Sequence, residues 1–316
     1  MNKYIFDVTV IILTYNSNYN KFIHTIKSVI NQKNINMEII IADDGSKKEF
    51  KYNDYIDALK AECKYPINYI DNQINQGTIA NCLSALKKST GKYVYLISPG
   101  DYLFDENTLG CFYRFAKNKC SKIAFGNALN YSYENNKYSV FENTSPSRPY
   151  VYSDKVRIDQ RISFLWNDRI VGPSYLREKL SFETYLYRIK DCCKYIEDTT
   201  TTCLYLFDGN KIDFYNRYIL WYECTSGISC EKNSKWSLIL KNELDMFFYR
   251  ISKEYNSQVL KAFIDYRAGI NKPLYIMKYP IISFKVLIYR LLFPKKRNKA
   301  NYKCELNKLY KITKGD

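Results

Sequence analysis

The sequence predicts an α/β protein built on a mostly parallel sheet flanked by helices, with a helical extension at its C-terminal end, and three observations predict it. Short apolar runs recur at Val8–Leu13, Glu38–Ala42, Ile67–Ile70 and Tyr93–Ile97. Stretches of helical periodicity alternate with them, the signature of successive βαβ units. Each run stops on a polar, often acidic loop, and an open parallel sheet holds its ligands at such strand ends.

Val8–Leu13 (VTVIIL) lacks the alternation of a half-exposed strand and reads as one buried on both faces, closed by Thr14-Tyr15-Asn16-Ser17-Asn18. Between Tyr19 and Asn31, Phe22, Ile23, Ile26, Val29 and Ile30 recur at three- and four-residue spacing, which marks an amphipathic helix. Glu38–Ala42 is a second buried strand, ended by Asp43-Asp44-Gly45-Ser46. A helix around Tyr52–Cys63, a strand at Ile67–Ile70, the polar turn Asn72–Gly77 and a helix over Thr78–Lys88 follow. The fourth strand, Tyr93–Ile97, stops on Ser98-Pro99-Gly100-Asp101. Beyond it the pattern weakens. Leu109–Ala116 suits a helix and Ile123–Leu129 a strand, while residues 130–160 lack periodicity. Two helices are expected to flank Glu197-Asp198, and a strand at Lys211–Tyr215 leads to Tyr218–Tyr222. From Ser234 helical spacing returns with Trp236, Leu240, Leu244, Phe247, Phe248 and Ile251, which sets a soft boundary near residue 230 between a domain over 1–230 and a helical region over 231–316.

With 316 residues, 46% of them apolar, the chain can bury a substantial core as one large domain or one domain with an appendage. The formal charge of +16 points to an anionic partner, and its distribution decides which kind. Residues 285–316 carry ten Lys or Arg against Glu305 and Asp316, half of the excess. The rest of the chain is mildly basic with scattered charges, which argues against nucleic acid. Ten Cys occur without a CxxC pair, and the adjacent Cys192 and Cys193 are poorly placed for an ordinary disulfide, so they read as small apolar residues in a reducing compartment. The N-terminal residues show no charged-then-apolar leader, and no stretch reaches the roughly 18 uninterrupted apolar residues of a spanning helix. A cytoplasmic protein is expected. The nearest stretch, Leu274–Phe293, is broken by Lys278, Pro280, Lys285 and Arg290.

His24 is the sole histidine and lies in the first helix, expected to face solvent; nucleophile–histidine triads and histidine-rich metal centres are excluded by inventory. Neither a Walker phosphate loop nor GxGxxG follows the first strand, which disfavours kinases, ATPases and dinucleotide oxidoreductases. Asp43-Asp44 can meet a nucleotide's base and ribose, or simply form the turn for which Asp-Gly is a standard choice.

Taken in order, Thr14-Tyr15-Asn16, Asp43-Asp44-Gly45-Ser46, Asn75-Gln76-Gly77 and Gly91-Lys92-Tyr93 resemble the family-2 glycosyltransferases of the GT-A fold group, closely over residues 8–110 and loosely to about 230. The resemblance implies transfer of a sugar, with inversion, from a nucleotide-diphosphate sugar donor to a hydroxyl of a glycan precursor. It divides the first domain into a donor-binding half, 1–110, and an acceptor half, 111–230. It also implies that Thr14, Tyr15, Asp43 and Asp44 hold the nucleotide and that the helix after Gly77 packs beneath the donor. In the family an Asp-x-Asp-Asp string after the fourth strand holds a divalent metal, and here the matching string is Ser98-Pro99-Gly100-Asp101. Three outcomes stay open: Mn²⁺ or Mg²⁺ centred on Asp101, leaving-group charge met by Lys, Arg and hydroxyl donors, or Asp101 as a turn or cap residue. Glu197-Asp198 matches the family's catalytic acidic pair, with Asp198 as the base. Four threonines follow it, so helix capping is the competing role. Gly172-Pro173-Ser174-Tyr175 matches an acceptor-site loop. Trp221-Tyr222 and Ser226-Gly227-Ile228-Ser229 match a segment that folds over the diphosphate, without the histidine often found there, and for both this segment and the Gly172 loop a purely structural role is the competing reading. The QxxRW string of processive synthases is missing, so one sugar per encounter is expected.

From Leu274 on, apolar residues mix with basic ones and run into Pro294-Lys295-Lys296-Arg297. Such a tail can lie in the headgroup layer of an anionic membrane on the inner face of the cell membrane, which would suit a lipid-linked glycan acceptor, or pack on the catalytic domain with a solvated basic end. A different class of reading is a catalytically silent nucleotide-sugar-binding scaffold, motivated by Ser98 and Gly100. A third is a nucleotidyltransferase.

Overall fold

The computed structural model describes residues 4–135, 137–153, 158–166, 170–225, 234–296 and 302–314. Strands β1 (Phe6–Thr14), β2 (Met37–Asp43), β3 (Ile67–Asp71) and β4 (Gly91–Ile97) pair in parallel in the order β3-β2-β1-β4. Helices α1 (Tyr19–Ile30), α2 (Asn53–Glu62) and α3 (Thr78–Lys88) make the crossovers. The apolar run of β1 is buried from Val8 to Ile12 because layers cover both faces. Ile11, Ile40, Val94 and Leu96 pack with Ile79, Cys82 and Leu86 of α3, while Val10, Ile12, Ile39, Ile41 and Tyr95 pack with Phe22, Ile26 and Val29 of α1. The chain runs outward through β2 and β3 and returns to the other side of β1 as β4. This reversal opens a crevice between the loops after Thr14 and Ile97.

The sheet continues as β4-β8-β6-β9-β5, with a ninth strand, β7, paired to β6. The elements are β5 (Tyr102–Leu103), α4 (Thr108–Asn118), β6 (Ile123–Glu134), β7 (Lys137–Ser145), α5 (Gln160–Trp166), β8 (Tyr175–Glu178), α6 (Lys179–Ile189), α7 (Glu197–Phe207) and β9 (Asp213–Glu223). β8 is antiparallel to β4 and β6, β7 to β6 and β5 to β9, whereas β6 and β9 are parallel, so six of the nine strands, β1–β4, β6 and β9, run in one direction. The stretch that lacks periodicity turns out to hold the end of β6 and all of β7, a largely exposed strand whose polar residues give no apolar pattern. The expected strands at 211–215 and 218–222 form one strand, β9, with register irregularities opposite Gly126 and Asn127. Glu197-Asp198 does not sit between two helices but opens α7.

Past β9 the described elements are all helical: α8 (Lys235–Glu254), α9 (Gln258–Arg267), α10 (Lys272–Lys278), α11 (Pro280–Leu292) and α12 (Tyr302–Lys314). The expected boundary near 230 lies outside the described residues. Phe247 and Phe248 of α8 and Phe263 of α9 join the core layer that holds α5, α6 and α7, with Trp166 and Phe263 5.1 Å apart. α11 leans on α5, where Arg290 Nη2 donates to Trp166 O at 3.0 Å. α12 returns to the opposite side and buries Leu309 beside Tyr102, Tyr131 and Trp221. No helix among the described residues is long and apolar enough to cross a membrane.

Candidate active site

Helix α1 sets the crevice. Its N-cap Asn18 accepts from Lys21 N, and just over three turns then place Lys21, Thr25 and Ser28 along one side at helical spacing, with Gln32 two residues past the helix end. These side chains satisfy the loop after β4. Thr25 Oγ1 donates to Asp101 O at 2.9 Å and accepts from Gly100 N at 3.1 Å, Ser28 Oγ accepts from Leu103 N at 3.2 Å, and Gln32 Oε1 accepts from Leu109 N at 2.9 Å. Gly100 has φ +105°, a conformation L side chains rarely adopt, and its carbonyl accepts from the Tyr131 hydroxyl.

Six of the predicted site residues, Tyr15, Asp101, Gly172, Glu197, Asp198 and Tyr222, line one cleft of about 390 Å³ at the carboxyl ends of β1 and β4. Residues far apart in sequence are thus brought together. Glu197 and Asp198 occupy the first turn of α7, where carboxylates complement the helix N-terminus. The N-cap position itself belongs to Ile196, and Asp198 Oδ1 accepts from the adjacent Thr199 N. Thr200 and Thr201 hydroxyls bond back to the carbonyls of Ile196 and Glu197 inside the buried body of the helix. Burial, and then the neighbouring Asp198 charge, push the Glu197 carboxyl well up, with Arg177 opposing. Of these two neighbouring carboxyls, Glu197 thus holds its proton more readily than an ordinary carboxyl does. Gly172 leaves room for them: a Cβ there would lie 3.3 Å from Glu197 Oε1 and 3.5 Å from Asp198 Oδ2.

The other predicted residues lie elsewhere. Asp44 is buried beneath the cleft, its oxygens accepting from Gln76 N at 2.9 Å and Gly77 N at 2.8 Å, so it staples the loop after β2 to the start of α3. Asp43 accepts from Ser46 N at 2.8 Å and from the Tyr69 hydroxyl at 3.1 Å. Thr14 donates to Ser17 Oγ at 2.9 Å, and Ser17 lines the cleft. Trp221 is fully buried, its Nε1 donating to Phe104 O, and it reaches the cleft only through its neighbours Tyr222 and Glu223. Ser226 and Ser229 lie outside the described residues. His24 is half-buried against Tyr102 rather than facing solvent, and burial lowers its pKa.

Three charged residues shape the site without an obvious pattern in sequence. Glu223 ends β9 in the cleft, its N–H donating to Asp101 Oδ1 at 3.2 Å and its carboxylate gripping Lys21 Nζ at 2.7 Å through both oxygens. An acid closing an apolar run, as at Asp43 and Asp101, is the feature that could have marked it. Glu243 of α8 accepts from Tyr195 N at 2.9 Å and Ile196 N at 2.8 Å, fixing the segment just before the acidic pair. Arg177 of β8 is fully buried, its guanidinium 4.2 Å from the Tyr175 ring and 4.7 Å from that of Phe182.

The donor set after β4 does not fit a divalent metal. Ser98, Pro99 and Gly100 bring no carboxylate, Asp101 already accepts the Glu223 N–H, and Glu223 is chelated by an ammonium. Burial drives Asp101 further toward its neutral form, raising its pKa well above the usual range. Among the described residues no group of three or more His, Cys, Asp or Glu side chains could hold a metal ion.

A parallel sheet with its order reversed at β1, and a cleft there walled by acids from the ends of β4 and β9 and from the start of α7, define a glycosyltransferase of the GT-A type. The model of Glycosyl transferase family 2 matches residues 9–179, more than half of the chain, and the chain belongs to that family. Among curated proteins no sequence matches. Among solved structures, TarS 1-349 of S. aureus in complex with UDP is similar at TM-score 0.55 and 15% identity, covering 90% of this chain and 89% of that one. The same protein in complex with UDP-GlcNAc aligns at TM-score 0.57 and 13% identity over 91% of this chain and 84% of that one. The mannosyltransferase PcManGT from Pyrobaculum calidifontis, in complex with GDP-Man and Mn²⁺, aligns at TM-score 0.57 and 14% identity over 98% of this chain and 83% of that one. At these identities the likeness is one of fold.

Proposed function

We propose that the chain is an inverting glycosyltransferase that moves one sugar per encounter from a nucleotide-diphosphate sugar to a hydroxyl of a glycan precursor, with Asp198 as the base. The observation that carries this is the single cleft shared by Asp198, Glu197 and the Ser98–Asp101 loop. In the transfer, Asp198 takes the proton of the acceptor hydroxyl as that oxygen bonds to the anomeric carbon. The bond from that carbon to the diphosphate oxygen breaks on the opposite face, and its electron pair leaves with the diphosphate. The complexes of related folds with UDP, UDP-GlcNAc and GDP-Man support a donor of this class. Tyr15 and Ser17 lie at the nucleotide end, with Asp43, Asp44 and Gly77 shaping the loops behind it. Gly172 and Tyr222 lie near the reacting groups. Residues 1–110 thus serve the donor, 111–230 the acceptor, and 231–316 support both. In a thermal-shift screen of nucleotide sugars, Asp198→Ala is expected to keep the stabilisation that wild type shows while losing transfer and donor hydrolysis. Equal turnover in the variant would remove Asp198 from the mechanism. Wild-type binding without turnover across a donor and acceptor panel would favour the scaffold reading instead.

A lipid-linked acceptor on a membrane surface is part of this proposal, and the surface of α11 supports it. Ile281, Phe284, Leu287, Leu291 and Leu292 are each more than half exposed, while Ile282 and Tyr289 face the body. Residues 272–296 carry six Lys or Arg and no acid, which complements anionic headgroups. Cosedimentation with phosphatidylglycerol vesicles is expected for wild type and to be lost in Phe284→Glu/Leu291→Glu, which leaves the contacts with α5 in place. Undiminished binding by that variant would exclude α11 as the membrane face.

A further inference from the structure

Three elements meet at the Ser98–Asp101 loop, where Asp101 and Glu223 line the cleft and Lys21, outside that lining, pairs with Glu223. A Cβ built on Gly100 would lie 2.5 Å from Glu223 Oε2, so the carboxylate at the end of β9 occupies the room that a side chain at position 100 would fill. Lys21 of α1 reaches the same place, its Cδ 3.6 Å from that Cβ position and its Nζ 2.7 Å from both oxygens of Glu223. Glu223 is buried and Lys21 about one-third exposed, with side-chain accessibilities of 7% and 31%. A buried carboxylate held by one ammonium loses heavily when that partner is removed, which makes the pair a fixed part of the loop and not an adaptable surface contact. An ammonium on one carboxylate also carries the same net charge as a divalent ion on two.

We propose that Lys21 is the resident cation of this end of the cleft: anchored by Glu223 in the space above Gly100, its ammonium provides the positive charge against the donor diphosphate, and binding there asks for no divalent ion. The proposal rests on reading the Ser98–Asp101 loop as the diphosphate end of the site. A metal ion that drew on Glu223 would have to displace Lys21 from both of its oxygens, a charge-assisted contact.

Mn²⁺ titration of the full chain, followed by the electron paramagnetic resonance of the free ion, decides the metal side of the proposal without any donor or acceptor. Wild type and Lys21→Arg are expected to take up no ion, whereas Lys21→Met, which uncovers Glu223, is expected to bind Mn²⁺ at least about tenfold more tightly than wild type. Uptake by wild type that Glu223→Gln removes would overturn the proposal, as would a folded Lys21→Met chain that binds no better than wild type. Calorimetry with UDP and GDP tests the phosphate side. Affinity is expected to be the same within about twofold in EDTA and in Mn²⁺, and Lys21→Met in EDTA should lose about tenfold for the diphosphates while UMP and GMP are unaffected. A wild-type requirement for Mn²⁺, or an unchanged diphosphate affinity in Lys21→Met, refutes it. If neither diphosphate binds wild type in any buffer, the donor reading fails, and the Mn²⁺ titration still reports on Lys21.

Discussion

Replacing Glu243 by alanine tests how the helices after β9 bear on the acidic pair. Glu243 is 8% exposed, and its carboxylate accepts from Tyr195 N at 2.9 and 3.2 Å and from Ile196 N at 2.8 Å. Because the group is buried, solvent screening offers little discount, and each hydrogen bond to a charged acceptor contributes about 1.5–3 kcal/mol. The alanine variant also leaves two backbone donors without their acceptor. The expected loss is about 3–5 kcal/mol in urea unfolding. Glu243→Gln keeps one carbonyl acceptor and is expected to lose about half as much. Since Ile196 caps α7, the alanine variant should also lower turnover more than it weakens nucleotide binding. The quantity to compare is the urea midpoint at constant m-value. A Glu243→Ala chain within about 0.5 kcal/mol of wild type would show that the α8 contact neither stabilises the Tyr195–Ile196 segment nor positions Glu197 and Asp198.

Two further outcomes come from the acidic pair. The Glu197 carboxyl is raised by burial and by Asp198, so between the ordinary carboxylate range and its raised native value the folded chain holds a proton that the unfolded chain has released; its contribution to stability is therefore present at low pH and falls as pH rises through that window. Glu197→Gln should be more stable than wild type at pH 8, with the advantage fading toward pH 4, and a constant difference across that range would contradict the assignment. For Gly172→Ala, whose new methyl group would stand 3.3 Å from Glu197 Oε1, we expect turnover to fall by about tenfold with a stability change under about 1 kcal/mol, and unchanged kinetics would show that the pair tolerates displacement.

The sequence makes β1, β2 and β4 legible because each is a long, largely buried run, and β3, shorter and partly exposed, is legible as an apolar run between two helices. β8, at four residues, and β5, at two, are too short to produce any period. β7 escapes because exposure on a hairpin lets it be polar. In the site, Asp101 and Asp198 are legible as acids at the end of a strand and the start of a helix. Lys21 and Glu223 are not, because their ion pair spans 202 residues and neither stands in a motif. Asp43 and Asp44 show the converse difficulty: a conspicuous acidic string whose carboxylates are spent on their own loop and its neighbour.

The polar stripe on α1 and the two residues after it has a practical consequence for anyone recombining this chain with a relative. Thr25, Ser28 and Gln32 fit the backbone of residues 100–109 atom by atom, and Lys21 fits Glu223. Grafting a foreign loop after β4 onto this helix, or a foreign helix under this loop, would strand backbone donors beneath the cleft floor. The exchangeable unit is a cassette of three separate segments, the helix, the loop and the last residue of β9, and chimeras that keep the three together should retain the cleft where single-segment swaps lose it.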